Sequence, residues 1–260
     1  MSTHLAAPES EPVDLSEVTT LLCDADGTLF GSEEPAYAAS ADVTNRFLAA
    51  LGAGRSFSAQ ELQETTNGKN FRATASDFAR HYSVELSDSE LDAWVAQERA
   101  VVTAHLRSVL APGAGVREAI QVLDARYQLA LVSSSALSRL DACLEVTGLS
   151  RHFPSDRRFS AEDSLPQPVS KPDPAVYEVA GRCLGISGRQ GLAIEDSVNG
   201  TLSAVAAGFP TIGTVQFVPA RTRARRAREL MEAGAFAVVS DLSELVARLS
   251  RSDEGARCPG

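Results

Sequence analysis

A membrane-spanning helix needs an apolar run of about 18 residues, and the chain contains no run close to that length. Its first residues contain no basic segment followed by an apolar stretch, so a secretory signal is not expected either. The composition, with 44% hydrophobic and 22% charged residues, is typical of a globular protein. We therefore predict a protein that stays in the cytoplasm and has no membrane partner.

Cysteine and positive charge are also scarce. The four cysteines show no Cys-x-x-Cys pair and no Cys/His metal spacing, which predicts reduced thiols. A net charge of -10 argues against nucleic acid as the main partner. The one basic cluster, Arg221–Arg228, is expected to be a solvated helix face, with an anionic partner as the alternative.

Lysine is especially rare, because only two of the 24 basic residues are lysine, Lys69 and Lys171. A compact ammonium and a planar guanidinium make different contacts, so a lysine in such a chain is a candidate for a site that arginine does not suit. Lys171 lies between serine and proline residues and is a strong candidate. For Lys69 an unimportant surface position remains the alternative.

What the chain does contain is a short apolar run, Leu21–Cys23, that leads directly into Asp24-Ala-Asp26-Gly-Thr28. This pattern predicts a buried strand that ends in a polar turn. If the strand continues through both aspartates, their side chains point the same way and repel each other. A divalent cation such as Mg²⁺ would offset that repulsion. The alternative is an ordinary Asp-Gly turn.

From about residue 108 onwards, short apolar segments alternate with helical patterns. This alternation predicts an α/β fold with a doubly wound parallel sheet, whereas residues 35 to 107 show only helical patterns. Ser58 and Ser87 each begin a capping box within that helical part. The predicted organisation is a disordered tail (1–17), an α/β core (18–31 and 108–249), an inserted helical domain (32–107) and a second tail (250–260).

A polar stretch between two of the inserted helices is a candidate ligand site. Lys69, Asn70 and Arg72 together could bind an anionic or hydroxyl-rich ligand near a helix start. The alternative is a capped helix start with solvated charges.

Polar side chains also follow the other predicted strands, where an open parallel sheet binds its ligands. Carboxylates at these ends could hold Mg²⁺, while hydroxyl and ammonium groups bind the oxygens of a phosphoryl group. The candidates are Asp24, Asp26, Ser133, Ser134, Lys171, Glu195 and Asp196.

The order Asp-x-Asp-Gly-Thr, hydrophobic-Ser, Lys and Glu-Asp resembles the haloacid dehalogenase superfamily of phosphohydrolases that use an aspartate nucleophile. The resemblance covers residues 19 to 249. The helical insertion is similar to the type 1 cap of that superfamily, which is found in phosphoglycolate phosphatase and β-phosphoglucomutase relatives.

The resemblance implies a role for each aspartate of the first motif. Asp24 would be the nucleophile that forms an aspartyl-phosphate, and Asp26 would be the general acid and then the base. Thr28 would support them. An acid two residues after the nucleophile favours a phosphate ester over a halogenated substrate.

The resemblance also implies the binding residues. Ser133, Ser134 and Lys171 would bind the phosphate. Mg²⁺ would be held by Asp24, the backbone carbonyl of Asp26 and Asp196, with Glu195 as a ligand or as a partner of the ligands.

The function expected from these residues is that of a Mg²⁺-dependent phosphatase of a small phosphate ester, of the sugar or cyclitol phosphate class. An intramolecular sugar phosphomutase is the alternative, although such mutases more often have Val at the position of Thr28. A non-catalytic binding module is a third possibility. The protein is expected to be a monomer or a small homo-oligomer.

Overall fold

The computed structural model describes residues 14–66, 70–111 and 113–256, and most of these lie in alternating helices and strands. The strands are β1 (Thr20–Cys23), β2 (Gln128–Ser133), β3 (Arg158–Ser160), β4 (Gly191–Glu195), β5 (Thr211–Thr214) and β6 (Ala237–Val239). The helices are α1 (Glu33–Ala50), α2 (Ala59–Thr66), α3 (Phe71–His81), α4 (Asp88–Val109), α5 (Ala114–Asp124), α6 (Leu137–Thr147), α7 (Ala175–Leu184), α8 (Val198–Ala206), α9 (Ala220–Glu232) and α10 (Leu242–Ala256).

The strands form one parallel sheet in the order β3-β2-β1-β4-β5-β6. The chain fills one half of the sheet from β1 to β3 and then crosses to the other side of β1 for β4 to β6. The reversal between β1 and β4 is the switch point at which open α/β sheets bind ligands. The predicted fold class is confirmed.

Both faces of β1 are buried, which explains why its sequence is continuously apolar. Leu21 and Cys23 belong to the larger hydrophobic cluster, which also includes residues of α5 and α10. Leu22 belongs to a second cluster, on the opposite face, with Tyr177 of α7 and Ala204 of α8. The central strand is therefore fixed from both sides, and this fixes the position of the residues that follow it.

Helices α1 to α4 follow β1 and precede β2 and have a hydrophobic cluster of their own around Phe47. The capping boxes at Ser58 and Ser87 are confirmed, since each serine exchanges hydrogen bonds with the glutamate three residues later. Helix α4 runs to Val109, and its Val102 and Leu106 lie in the larger core cluster. The domain limits at residues 32 and 107 stay predictions.

The predicted tails can be compared with the structure only in part, because residues 1–13 and 257–260 lie outside the described part of the chain. Leu15 packs against the core, although it was assigned to a tail. The tail prediction is wrong over residues 250–256, which continue α10. Leu245 and Leu249 bury the apolar face of the preceding turns of this helix.

Three further predictions concern membrane helices, cysteines and the basic cluster. Within the described residues, no helix is both long enough and apolar enough to cross a membrane. Cys23, Cys143 and Cys183 form no disulfide. Four arginines of the basic cluster Arg221–Arg228 are exposed on α9, as expected for a solvated helix face, and Arg226 is half-buried.

Phe47 offers a test of the packing of the insertion. Its ring is fully buried and packs edge-on against Phe71 and Trp94, with centroids 6.3 Å and 5.4 Å away. We expect Phe47→Ala to lower the free energy of unfolding by about 3–5 kcal/mol because it leaves a cavity. Urea denaturation followed by the fluorescence of Trp94, the one tryptophan of the chain, measures this change. Leu202→Ala, at a residue 41% exposed on α8, is the control and should cost about 0.5 kcal/mol or less.

Candidate active site

The turn after β1 brings the first aspartate motif against the end of β4. Gly27 has a φ of 88°, and a Cβ at this position would lie 2.2 Å from Oδ2 of Asp196. The hydroxyl of Thr28 donates to Oδ1 of Asp196 at 3.2 Å. Only glycine allows both this backbone conformation and this approach, so the Asp-Gly pair is more than an ordinary turn.

Lys171 lies at the centre of the site, with its side chain 6% exposed. Its ammonium donates to Oδ1 of Asp24 at 2.7 Å, to Oε1 of Glu195 at 2.6 Å and to the carbonyl oxygen of Val132 at 2.8 Å. These acceptors belong to the ends of three neighbouring strands, β1, β2 and β4. An ammonium has three donors, so all of them are satisfied.

Glu195 is fully buried and orients Lys171. The hydroxyl of Tyr177 donates to its Oε1 at 2.7 Å, and the hydroxyl of Ser197 donates to its Oε2 at 3.4 Å. A Cβ at Gly200 would lie 1.9 Å from Oε2, so the backbone of α8 closes directly over this carboxylate. Glu195 thus fits a partner of Lys171 better than a metal ligand. Tyr177 was missed by the sequence analysis because its position resembles that of any apolar residue of α7.

The site carries an excess of negative charge. Oxygen atoms of Asp24, Glu195 and Asp196 lie within 4.8 Å of one another, and Lys171 is the one cation hydrogen-bonded among them in the described structure. Burial raises the pKa of Asp24 to about 7, with Glu195 adding to the effect and Lys171 opposing it. Burial, with the charges of Asp24 and Glu195, raises the pKa of Asp196 well above its usual value.

A divalent cation would balance this charge, and the donor set fits one. Asp24 and Asp196 each use Oδ1 to accept a hydrogen bond, from Lys171 and Thr28 respectively. Within the described residues, no hydrogen bond reaches Oδ2 of either aspartate. Two carboxylate oxygens of this kind are suitable ligands for a hard cation.

Asp26 has different partners from Asp24. Ser135 donates to its Oδ2 at 2.6 Å, Arg139 donates to its Oδ1 at 3.1 Å, and Ser32 also donates to Oδ1. Strand β1 ends at Cys23, so the alternation expected for a strand does not govern the two aspartates. The side chain of Asp26 is not a member of the compact carboxylate cluster.

The environment of Asp26 also shifts its pKa in the opposite direction to that of Asp24. Burial raises the pKa of Asp26, but the charge of Arg139 and the hydrogen bonds from Ser135 and Ser32 outweigh burial, and the pKa is lowered. Ser32 and Arg139 were missed by the sequence analysis.

The serines after β2 lie at the same edge of the sheet as Lys171. Ser133 is buried, and its Oγ accepts a hydrogen bond from the backbone N–H of Ser135 at 3.1 Å. Oγ of Ser134 accepts from the backbone N–H of Lys171 at 3.4 Å. The structure therefore brings together the motifs at the ends of β1, β2 and β4 and the Lys171 loop.

The three residues predicted to bind ligand in the helical insertion do not all lie near the Lys171 loop in the described structure. Asn70 caps α3, with its Oδ1 accepting from the N–H of Ala73 at 2.9 Å, and its Nδ2 donates to Ser170 at 3.4 Å. Arg72 instead forms an ion pair with Asp92, beside a groove of about 630 Å³ that α4 and the start of α6 also line. Lys69 lies outside the described residues.

With the geometry in place, the comparisons with known proteins assign the chain to a family. A family model of hydrolases, described as haloacid dehalogenase-like hydrolase, matches residues 18–208. The chain belongs to the haloacid dehalogenase-like hydrolases. The predicted family is thereby confirmed, and so is the prediction of an enzyme at the level of a hydrolase.

A curated relative is similar over part of this haloacid dehalogenase-like chain. The plasmid protein CbbY of Cupriavidus necator is 37% identical over 94 residues, which is 35% of this chain and 35% of CbbY. The aligned part thus spans about a third of the length of that relative.

Solved structures match over most of their length. A conserved haloacid dehalogenase-like protein of unknown function from Agrobacterium tumefaciens is 27% identical, with a TM-score of 0.66, and the match covers 91% of this chain and 99% of that one. A mutant of CbbY from Rhodobacter sphaeroides in complex with xylulose-(1,5)bisphosphate is 24% identical, with a TM-score of 0.69 and coverage of 88% and 96%. A putative β-phosphoglucomutase from Bacteroides vulgatus is 20% identical, with a TM-score of 0.67 and coverage of 95% and 93%. The last two show a shared fold.

Replacing Lys171 tests the charge balance of the site. We expect Lys171→Met to lower the free energy of unfolding by about 3–5 kcal/mol at pH 8, because it leaves buried carboxylates without their cation. The pKa of Asp24, already about 7, would rise further, above its value of 3.8 in the unfolded chain. A carboxyl group whose pKa is raised by folding stabilises the folded state at low pH and loses that contribution as the pH rises.

The defect of Lys171→Met should therefore shrink as the pH falls from 8 to 5. Urea denaturation across this range, without divalent cations, measures it. Arg189→Met is the control, because its side chain is 79% exposed and contacts Glu17 only at 3.7 Å. A defect that stays constant with pH would contradict the electrostatic explanation.

Proposed function

We propose that this protein is a Mg²⁺-dependent phosphatase that hydrolyses a small phosphorylated metabolite of the sugar or cyclitol phosphate class. The observation that carries the proposal is the buried cluster of Asp24, Glu195 and Asp196 around Lys171. Its excess negative charge suits a divalent cation, and its position at the switch point of the sheet suits a phosphate ester. Membership in a hydrolase family supports the reaction class.

In this proposal Asp24 is the nucleophile. A carboxylate that approaches a phosphate ester meets like-charge repulsion, and the Lys171 ammonium at 2.7 Å from Asp24 reduces it. Attack forms a bond from a carboxylate oxygen of Asp24 to phosphorus, and the bond from phosphorus to the substrate oxygen breaks. The product of this step is an aspartyl-phosphate and an alcohol.

Asp26 moves the protons of both steps. It gives a proton to the leaving oxygen and, once ionised, takes a proton from the water that attacks the aspartyl-phosphate. Inorganic phosphate and free Asp24 result. The pKa of Asp26, lowered mainly by Arg139 against the effect of burial, corresponds to the ionised form that accepts the proton of water in the second step. To act as the acid of the first step, Asp26 must first bind a proton from solvent.

The remaining residues bind rather than react. Ser133, Ser134 and Lys171 would hold the phosphate oxygens, since they lie together at the ends of β2 and the Lys171 loop. Lys171 would exchange one of its three present acceptors for a phosphate oxygen. Asp24, Asp196 and the backbone carbonyl of Asp26 would hold Mg²⁺. The ion would offset the negative charge of the phosphoryl group during transfer.

The helical insertion would act as a cap over the substrate. Asn70 supports this role, because its side chain reaches Ser170, the neighbour of Lys171. Arg72 and Lys69 would contact the part of the substrate that does not react. The complex of a CbbY mutant with xylulose-(1,5)bisphosphate, in a structure with the same fold, supports a sugar phosphate as the substrate class.

A substrate panel tests this function. Phosphorylated sugars, polyols, glycolate and nucleotides are incubated with the protein, with and without Mg²⁺, and inorganic phosphate is measured. We expect Mg²⁺-dependent release that Asp24→Asn lowers by at least about 10³-fold, because the nucleophile is lost. Asp42→Asn, at an exposed position of α1, is the matched control and should keep full activity.

Two other outcomes of the panel have a clear meaning. Formation of a positional isomer without phosphate release, detected by phosphorus NMR, would identify a phosphomutase. No conversion of any ester would favour a non-catalytic binding module. Either result would overturn the proposal of a phosphatase.

Mg²⁺ binding can be tested without turnover. Mg²⁺ at about a hundred times its dissociation constant should stabilise the protein by about 2.7 kcal/mol, measured as a rise in Tm. Asp196→Asn should stabilise the metal-free protein, because it removes a buried charge and keeps Oδ1 as an acceptor for Thr28. The same variant should lose the response to Mg²⁺, whereas Asp42→Asn should keep it. An unchanged response in Asp196→Asn would argue against this metal site.

A further inference from the structure

Arg139 is a half-buried cation that none of the sequence motifs includes. It belongs to α6, and its side chain is 21% exposed. Its guanidinium donates from one terminal nitrogen to Oδ1 of Asp26 at 3.1 Å. Burial lowers the pKa of Arg139, but the negative charges of Asp26 and of Glu98 on α4 help to outweigh it, and the pKa is raised.

The hydrogen bonds of Arg139 differ from those of an arginine that holds the fold together. Its Nε is buried and, in the part of the chain that the structure describes, has no hydrogen-bond partner. Arg158, by contrast, is an arginine that holds the fold together, because it donates to the carbonyl oxygens of Phe153 and Ser150 and to Asp141. A buried donor without a partner lowers stability, so burial of Arg139 is poorly explained by stability alone.

The contact with Asp26 gives Arg139 a more specific explanation. Ser32 and Ser135 donate to the same carboxylate from the start of α1 and the end of β2. Hydroxyl groups rotate freely and leave the carboxylate several orientations, whereas the guanidinium is planar and reaches Oδ1 from α6 with one N–H. Among these three donors, Arg139 is also the one that carries a charge.

We propose that Arg139 is a positioning residue that holds the Asp26 carboxylate in the orientation needed for proton transfer. The inference rests on the proposed function, because it assigns Arg139 to the proton-transfer step of that reaction. In the described structure the hydrogen bond of Arg139 is to Asp26, so we expect Arg139 to act through Asp26. A proton acceptor that is displaced by about 1 Å loses about 10²-fold in rate, which sets the size of the expected effect.

The test compares the steady-state kinetics of wild type, Arg139→Met, Asp26→Asn and the double variant on an ester found in the panel. Arg139→Met should lower kcat by about 10- to 100-fold and leave KM within about twofold, because Asp26 moves protons and does not hold the phosphate. Arg139→Lys, which keeps the charge, should recover part of kcat. In the Asp26→Asn background, Arg139→Met should cause no further loss.

Arg158→Met is the matched control for a structural arginine. It should lower Tm more than Arg139→Met does, and it should keep kcat within about twofold at a temperature where the variant is folded. Its small effect on kcat should be the same in wild type and in the Asp26→Asn background. Tm values and circular dichroism of all variants show whether a lost rate reflects lost folding.

The outcomes separate this inference from the proposed function. Suppose that wild type turns over and Asp26→Asn is impaired. The positioning role is then overturned, and the phosphatase stands, in either of two cases: Arg139→Met is fully active, or it lowers the rate of Asp26→Asn by the same factor as it lowers that of wild type. If wild type releases phosphate from no ester, both are overturned. If Arg139→Met fails to fold, Arg139→Lys decides. This variant should fold and have a kcat below that of wild type only where Asp26 is present, and full kcat in Arg139→Lys overturns the positioning role.

Discussion

The ammonium of Lys171 between two buried carboxylates is the interaction on which the site depends. Asp24 and Glu195 lie at the ends of neighbouring strands, and without a cation their charges would repel each other in a region of low dielectric constant. Lys171 also donates to the end of β2 through Val132. One side chain thereby joins three strand ends, and the same contacts that offset the repulsion orient the proposed nucleophile.

The backbone around this lysine is shaped by the need to bring carboxylates close together. Gly27 allows the turn after β1 to reach Asp196, and Gly200 allows the first turn of α8 to close over Glu195. A side chain at either position would collide with a carboxylate. The result is a cluster with more negative than positive charge, which costs stability in the absence of a cation and provides an explanation for cation binding.

The two aspartates of the first motif show how environment separates similar groups. Burial near other carboxylates raises the pKa of Asp24, whereas Arg139 and two hydroxyl groups overcome burial and lower the pKa of Asp26. Two carboxyl groups that lie two residues apart in the chain thus differ in proton affinity because their partners differ. The residue that produces the difference, Arg139, lies outside the motifs.

The fold class, the order of the strands along the chain and the strand ends that meet at the candidate site could be predicted from the sequence. Apolar runs that end in Asp24, Ser133 and Glu195 are local patterns, and parallel strands bring their carboxyl ends to one edge of the sheet. The tertiary structure alone decided the partners. Tyr177, Ser32 and Arg139 look like ordinary helix or loop residues, and their contacts with Glu195 and Asp26 join residues that lie apart in the chain. The end of α10 was also missed, since the helix continues to Ala256, past the last buried leucine, Leu249.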